Sequence, residues 1–115
     1  MVSYVPAPGD AVWMQFDPQA GHEQPGQEQA GHRPARVLSP RRYNAMRGMT
    51  ICCPMTSKIK GYVFEVVVEE TRPSAILADQ VKSLDWRARG AVRKGAVPPR
   101  ILADVQAKIK ALLRL

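Results

Sequence analysis

At 115 residues, 45% hydrophobic and 23% charged, the chain has material for one domain around a single core. That composition excludes a second domain and a fibrous or disordered polymer, and no apolar run approaches the length of a bilayer span. The net charge of +7 is uneven: residues 1–81 hold eight Lys/Arg and eight Asp/Glu, whereas residues 82–115 hold nine Lys/Arg against Asp85 and Asp104. Clustered cations suit a polyanionic partner, either nucleic acid or an acidic protein segment, and serve equally well as a solvated basic face.

Along the chain, "DAVWMQFDP" alternates Val12, Met14 and Phe16 against Ala11, Trp13 and Gln15, the period of a half-buried strand ended by the Asp17-Pro18 turn signal. Residues 19–33, rich in Gly, Gln, Glu and Pro, read as a long loop. "ARVLSP" predicts a strand stopped by Pro40, "YNAMRG" a turn, and "MTICCPM" a third strand. "YVFEVVV" and "SAILADQV" predict two more strands around an "ETRPS" turn. Trp86 opens a further strand on which Arg87 and Arg89 share a face.

The last segment, "VPPRILADVQAKIKALLRL", changes period. Ile101, Val105, Ile109 and Leu112 recur at helical spacing, Pro98 or Pro99 sits where a helix start tolerates proline, and Lys108, Lys110 and Arg114 lie late, where the helix dipole favours cations. Short strands at close spacing followed by one amphipathic helix predict a mainly β fold, a small barrel with a C-terminal helix over residues 1–115.

Cys52 and Cys53 are adjacent, so on a strand their thiols point to opposite faces and neither a strained vicinal disulfide nor a shared metal is expected. Two free, buried thiols fit a reducing compartment, and the opening "MVSYVPAPGD" has neither the basic start nor the apolar stretch of a leader; a soluble cytoplasmic protein is expected.

A glycine-rich phosphate loop, a spaced Cys/His zinc set and a serine in a nucleophile elbow are all missing from the sequence. His22 and His32 stand ten residues apart with no third ligand, so no metal and no cofactor is expected. Two stretches could carry chemistry. One is "HEQPGQEQAGHRP", in which x-Glu-Gln-x-Gly occurs twice before His32-Arg33-Pro34. The other is "CCPMTSK", where a strand ends and offers Thr56, Ser57 and Lys58.

In order, "GDAVWMQFDP", "EQAGHRPARVLSP", "YNAMRGM", "CCPMTSKIKGYVFEVV", "AILADQVKSLDWRARG" and the closing helix resemble the MazF/PemK family of toxins across nearly the whole chain. The resemblance implies an SH3-like barrel of the kind shared with CcdB toxins, a homodimer, and metal-independent cutting of single-stranded RNA that is restrained by an acidic MazE-like antitoxin. It places the family's Gly-His-Arg-Pro arginine on Arg33 and its Pro-x-Thr threonine on Thr56. When a ribose 2′-OH attacks the neighbouring phosphate, charge grows on the phosphorane oxygens, and fixed donors aimed there lower the barrier. A guanidinium offers a planar fork and threonine a single hydroxyl.

The resemblance also implies one glutamate as acceptor of the 2′-OH proton. Relatives carry a single Glu-Gln-x-Gly before His-Arg-Pro, so this loop is longer by five residues, a thermodynamically cheap insertion. Counted back from Arg33 the functional residue is Glu28; counted forward from Asp17-Pro18 it is Glu23, and distance from the arginine favours Glu28. His32 and Lys58 beside the catalytic pair, Lys82 and Asp85 from the "DQVKSLDW" stretch, and Arg87 with Arg89 complete the expected RNA-binding set. Lysine replaces the PemK arginine at 82, which weakens bidentate phosphate binding. The competing readings are a CcdB-like toxin that binds DNA gyrase and an RNA-binding barrel that has lost catalysis.

Overall fold

The computed structural model describes residues 4–16 and 32–115. Within them run seven antiparallel strands, β1 (Asp10–Gln15), β2 (His32–Val37), β3 (Met49–Thr56), β4 (Glu65–Val68), β5 (Ser74–Leu77), β6 (Lys82–Asp85) and β7 (Val92–Ala96). Two helices, α1 (Arg41–Arg47) and α2 (Pro99–Leu113), complete the order. The sheet runs β4-β5-β3-β2-β1-β7, with β6 paired to β3 off that path.

The architecture turns on β3. Residues 49–52 pair with β6, residues 55–56 pair with β5, and residues 52–54 pair with β2 along the other edge. A strand with different partners at its two ends draws the sheet into a half-barrel and leaves apolar surface on both of its faces. One face joins Val12, Met14, Val37, Cys52 and Leu84 in the hollow of the sheet; the other joins Cys53, Met55, Val66, Ile76 and Val105 beneath α2. Cys52 and Cys53 therefore enter different cores, both fully buried and neither in a disulfide among the described residues. Burial pushes the Cys53 thiol up to about 12, because the thiolate loses its hydration there.

The alternation in β1 holds from Val12 on: Val12 and Met14 are fully buried and Trp13 faces out, whereas Ala11, on the outward phase, is buried too. In α2, Val105 is fully buried while Ile101 and Ile109 pack partly against the second core, a contribution of roughly 1.5–3 kcal/mol for the valine alone. Leu112, expected on the same stripe, remains largely exposed, so the stripe ends before the helix does. Pro98 takes the N-cap and Pro99 the first helical position.

Three expectations fail. The "YNAMRG" turn belongs to the helix α1, which starts behind extended Pro40 and stops at Gly48 with φ +67°. Its one buried residue, Asn44, leaves no apolar stripe for periodicity to detect. The strand expected from Trp86 is a turn: Asp85 Oδ1 accepts the Ala88 N–H at 2.9 Å, the Asp85 carbonyl accepts the Arg89 N–H at 3.0 Å, and Gly90 takes φ +63°. Beyond it lies β7, a strand with no buried residue, formed by pairing to β1. Finally, β2 begins at His32, so His32 and Arg33 leave the loop and stand on a strand.

Candidate active site

A cleft of about 640 Å³ opens where β1, β2 and the end of β3 meet residues 70–74. Arg33 and Thr56 both line it. Register explains why two residues far apart in sequence meet. Arg36 pairs with Cys53 and Ala35 with Pro54; Arg33 and Thr56 lie two residues past that last pair, on the two strands as they run out side by side into the cleft.

Each is chemically prepared for an anion. Arg33 is half-buried, and its Nε is enclosed without a hydrogen-bond partner among the described residues. A buried donor left unmatched costs roughly 1–3 kcal/mol, which an incoming oxyanion offsets. Thr56 Oγ1 accepts the Lys58 N–H at 3.0 Å, which fixes the hydroxyl oxygen. Among the described residues nothing accepts the hydroxyl hydrogen, so a phosphate oxygen can.

His32 lines the same cleft, stacked on Trp13 with ring centroids 6.3 Å apart and planes 15° from parallel. Lys94 Nζ lies 4.8 Å from the Trp13 ring centroid, and Glu70 and Arg72 also line the cleft. Sequence reasoning missed Trp13, Lys94, Glu70 and Arg72. The signal for Trp13 was present, since an indole occupied the outward phase of β1; Lys94 sits on a strand without a pattern.

The remaining expected residues lie elsewhere. Lys58 is exposed just past Thr56 and outside the lining. Lys82 pairs across from Cys52 and sets its Nζ 5.9 Å from the Phe16 ring centroid. Asp85 is occupied with its turn. Arg87 lies over the Trp86 ring at 4.7 Å and donates through Nη2 to the Ala45 carbonyl at 3.0 Å. Arg89 is 5% exposed and donates through Nη1 to the Gln15 carbonyl at 2.8 Å. Thus Arg87 and Arg89 share no strand face and do not line this cleft, because the turn sends one outward and the other inward. Glu28, like Glu23, falls outside the described residues. Among the described residues no three His, Cys, Asp or Glu side chains gather as a metal-ligand set.

Beneath the cleft floor, Arg36 pairs across from Ala11 and is almost fully buried, with Nη1 donating to the Gly9 carbonyl at 3.2 Å. Desolvation lowers its pKa, and the charges of Glu70 and Asp10 oppose that shift. Glu70 thus balances a buried cation as well as lining the wall.

A curled antiparallel sheet carrying cations beside an exposed indole is the architecture of a small nucleic-acid-binding β-barrel. Comparison with known proteins specifies it. Residues 7–113 match the family described as PemK-like, MazF-like toxin of type II toxin-antitoxin system. The chain is 54% identical to the endoribonuclease toxin MazF of Escherichia coli (strain K12), with 98% of this chain and 99% of that one covered. It superposes on the crystal structure of MazF (Form-I) from Deinococcus radiodurans with a TM-score of 0.85 at 45% identity, covering 98% and 100% of the two chains. MazE-MazF (Form-II) from the same organism gives a TM-score of 0.86 at 45% identity, covering 98% and 99%. The chain belongs to the PemK-like, MazF-like toxin family of type II toxin-antitoxin systems.

Proposed function

We propose that this chain is an endoribonuclease toxin that cuts single-stranded RNA by 2′-OH attack. The ribose oxygen bonds to the adjacent phosphorus while the bond to the 5′-oxygen breaks, leaving a 2′,3′-cyclic phosphate and a 5′-hydroxyl. The 2′-OH proton passes to Glu28, and the departing 5′-oxygen takes a proton from water, to which Glu28 later returns its own. Arg33 and Thr56 hold the phosphorane oxygens as their charge grows, each worth on the order of a hundredfold in rate. A guanidinium with a pKa above about 12 is a reluctant acid, so charge stabilisation is the role given to Arg33. No metal takes part.

The observation that carries this reading is the placement of Arg33 and Thr56 in one cleft, with a buried Nε unmatched and a hydroxyl hydrogen unspent among the described residues. The Escherichia coli relative is an endoribonuclease toxin, which favours RNA cutting over gyrase binding. The Deinococcus radiodurans MazE-MazF structure supports a MazE-like antitoxin as partner. The protein acts in the cytoplasm as a homodimer, which sedimentation would measure.

Incubating the protein with an RNA and with its all-2′-deoxy counterpart, both in excess EDTA, tests the chemistry. RNA alone is cut, and the 5′ fragment carries a cyclic phosphate. Cutting of both strands, or a requirement for magnesium, refutes 2′-OH attack.

A further inference from the structure

The aromatic row on the cleft wall has no part in stabilising charge at phosphorus. Trp13 stands at the outward phase of β1 between fully buried Val12 and Met14, belongs to neither core, and keeps 37% of its surface exposed. Its partner on β2 is Pro34, so His32 is the diagonal neighbour on the same face, two positions away. The 6.3 Å separation of the rings is at the wide end for aromatic pairs, and the imidazole therefore covers only part of the indole. Lys94 Nζ lies over the ring, 4.8 Å from its centroid, and adds a cation to a lining that also holds Arg72.

An indole that keeps 37% of its surface exposed beside an imidazole and clustered cations is costly for the free protein and suited to one class of ligand. Unpaired nucleobases stack on exposed aromatic faces while neighbouring cations track the phosphates, whereas a duplex keeps its bases stacked inside. We infer that Trp13, flanked by His32 and Lys94, is a base-stacking subsite that holds an unpaired nucleobase next to the scissile phosphate. The subsite rests on the reading of this cleft as an RNA-cleaving site. Because every base has a π-face, it supplies affinity and single-strand selectivity, not base identity. Its position beside Arg33 and Thr56 makes Trp13 a positioning residue: stacking splays the strand and sets the adjoining phosphate between the two donors.

The test uses the full-length protein and a short oligonucleotide spanning a cut site mapped on a transcript, with 2′-O-methyl at the scissile ribose as the uncut binding probe. Trp13→Ala raises both KM for the cleavable oligonucleotide and Kd for the probe by roughly five- to a hundredfold, with a smaller change in kcat, and Trp13→Phe recovers most of the loss. Replacing one flanking nucleotide by an abasic ribose reproduces the loss in the parent and adds nothing in Trp13→Ala. The chain has two tryptophans, and Trp86 is buried, so the probe quenches emission of the parent and leaves that of Trp13→Phe unchanged even if the alanine variant folds poorly.

Unchanged KM, Kd and emission, with the parent still cutting RNA, overturns the subsite and leaves the nuclease reading standing. A parent that cuts no RNA fails at the earlier step. Loss confined to capture of an acidic antitoxin peptide, with RNA kinetics untouched, gives the aromatic row to a protein partner and overturns the inference.

Discussion

Replacing Asn44 with Ala removes the polar hub that ties α1 to the sheet carrying the cleft. Asn44 is fully buried; its Oδ1 accepts the Ser39 hydroxyl at 2.5 Å, and its Nδ2 donates to the carbonyls of Pro6 at 2.8 Å and Ser39 at 3.1 Å. The Ser39 hydroxyl retains Thr50 Oγ1 at 3.3 Å and the Ile51 N–H at 2.8 Å after the substitution. The two carbonyls lose the side-chain donor. A buried acceptor left unmatched costs roughly 1–3 kcal/mol, so the pair predicts a loss of about 2–5 kcal/mol. At about 4 °C per kcal/mol for a domain of this size, Tm falls by roughly 10–20 °C. Asn44→Asp is sharper, since the same shape then points a carboxylate at two carbonyls. Its pKa in the fold must rise above the unfolded value, so its deficit relative to the parent is greatest near neutral pH and shrinks as pH falls through the folded pKa. Urea unfolding of all three proteins at pH 7 and pH 5, followed by circular dichroism, measures both effects. An alanine variant within about 1 kcal/mol of the parent, or an aspartate deficit indifferent to pH, would refute the assignment of Asn44 as a satisfied hub.

Further outcomes follow from the same contacts. Arg89→Ala costs about 2–3 kcal/mol by removing a nearly buried donor to the Gln15 carbonyl, whereas Arg87→Ala, at the surface, costs under about 1 kcal/mol; equal melting temperatures contradict this. Burial raises Cys53 to about 12, and burial with the Asp10 carboxylate at 2.6 Å raises the Tyr4 phenol well above its usual value. Both groups hold their protons more tightly folded than unfolded, so stability is full below about pH 8.5 and falls as pH rises, by up to about 1.4 kcal/mol per pH unit for the thiol. A urea midpoint that stays flat from pH 8 to 11, or a slope unchanged by Cys53→Ala, contradicts that account. Glu28→Gln lowers kcat by about a hundredfold or more with KM nearly unchanged, and Glu23→Gln stays within about twofold of the parent. The reverse ranking in single-turnover cleavage would transfer the proton-accepting role to Glu23.

What the sequence disclosed of the fold depended on whether a residue's neighbours in sequence were also its partners in burial. In β1 and α2 they are: Val12 and Met14, or Ile101, Val105 and Ile109, repeat at the period of their own element and can be counted. In α1 they are not, because seven residues with one buried side chain carry no period, and the helix is held by Asn44 reaching Pro6 and Ser39. In β7 there is nothing apolar to count, and the strand exists because β1 offers an edge. The turn after β6 was misread for a different reason. Trp86, Arg87 and Arg89 mimic alternation, while Asp85 and Gly90, the residues that make the turn, bracket them.

The cleft divides the same way. Arg33 and Thr56 were found through a family pattern, and the register supplies the physical reason that they meet. Trp13, Lys94, Glu70 and Arg72 come from three separate elements, and only folding unites them. Alternation carries the synthesis one step further. Arg33 has the phase of Ala35 and Val37, and Thr56 that of Cys52, all facing the hollow of the sheet; Trp13 has the opposite phase to Val12 and Met14. A cleft that includes residues of both phases must lie over the rim, where the strands end and the two faces meet. β2 starts at that rim with His32, a lining residue and the end point of the connection from β1. An insertion of five residues in that connection is cheap for stability, since loop entropy grows slowly with length. The chain runs from it into His32 and Arg33, which line the cleft.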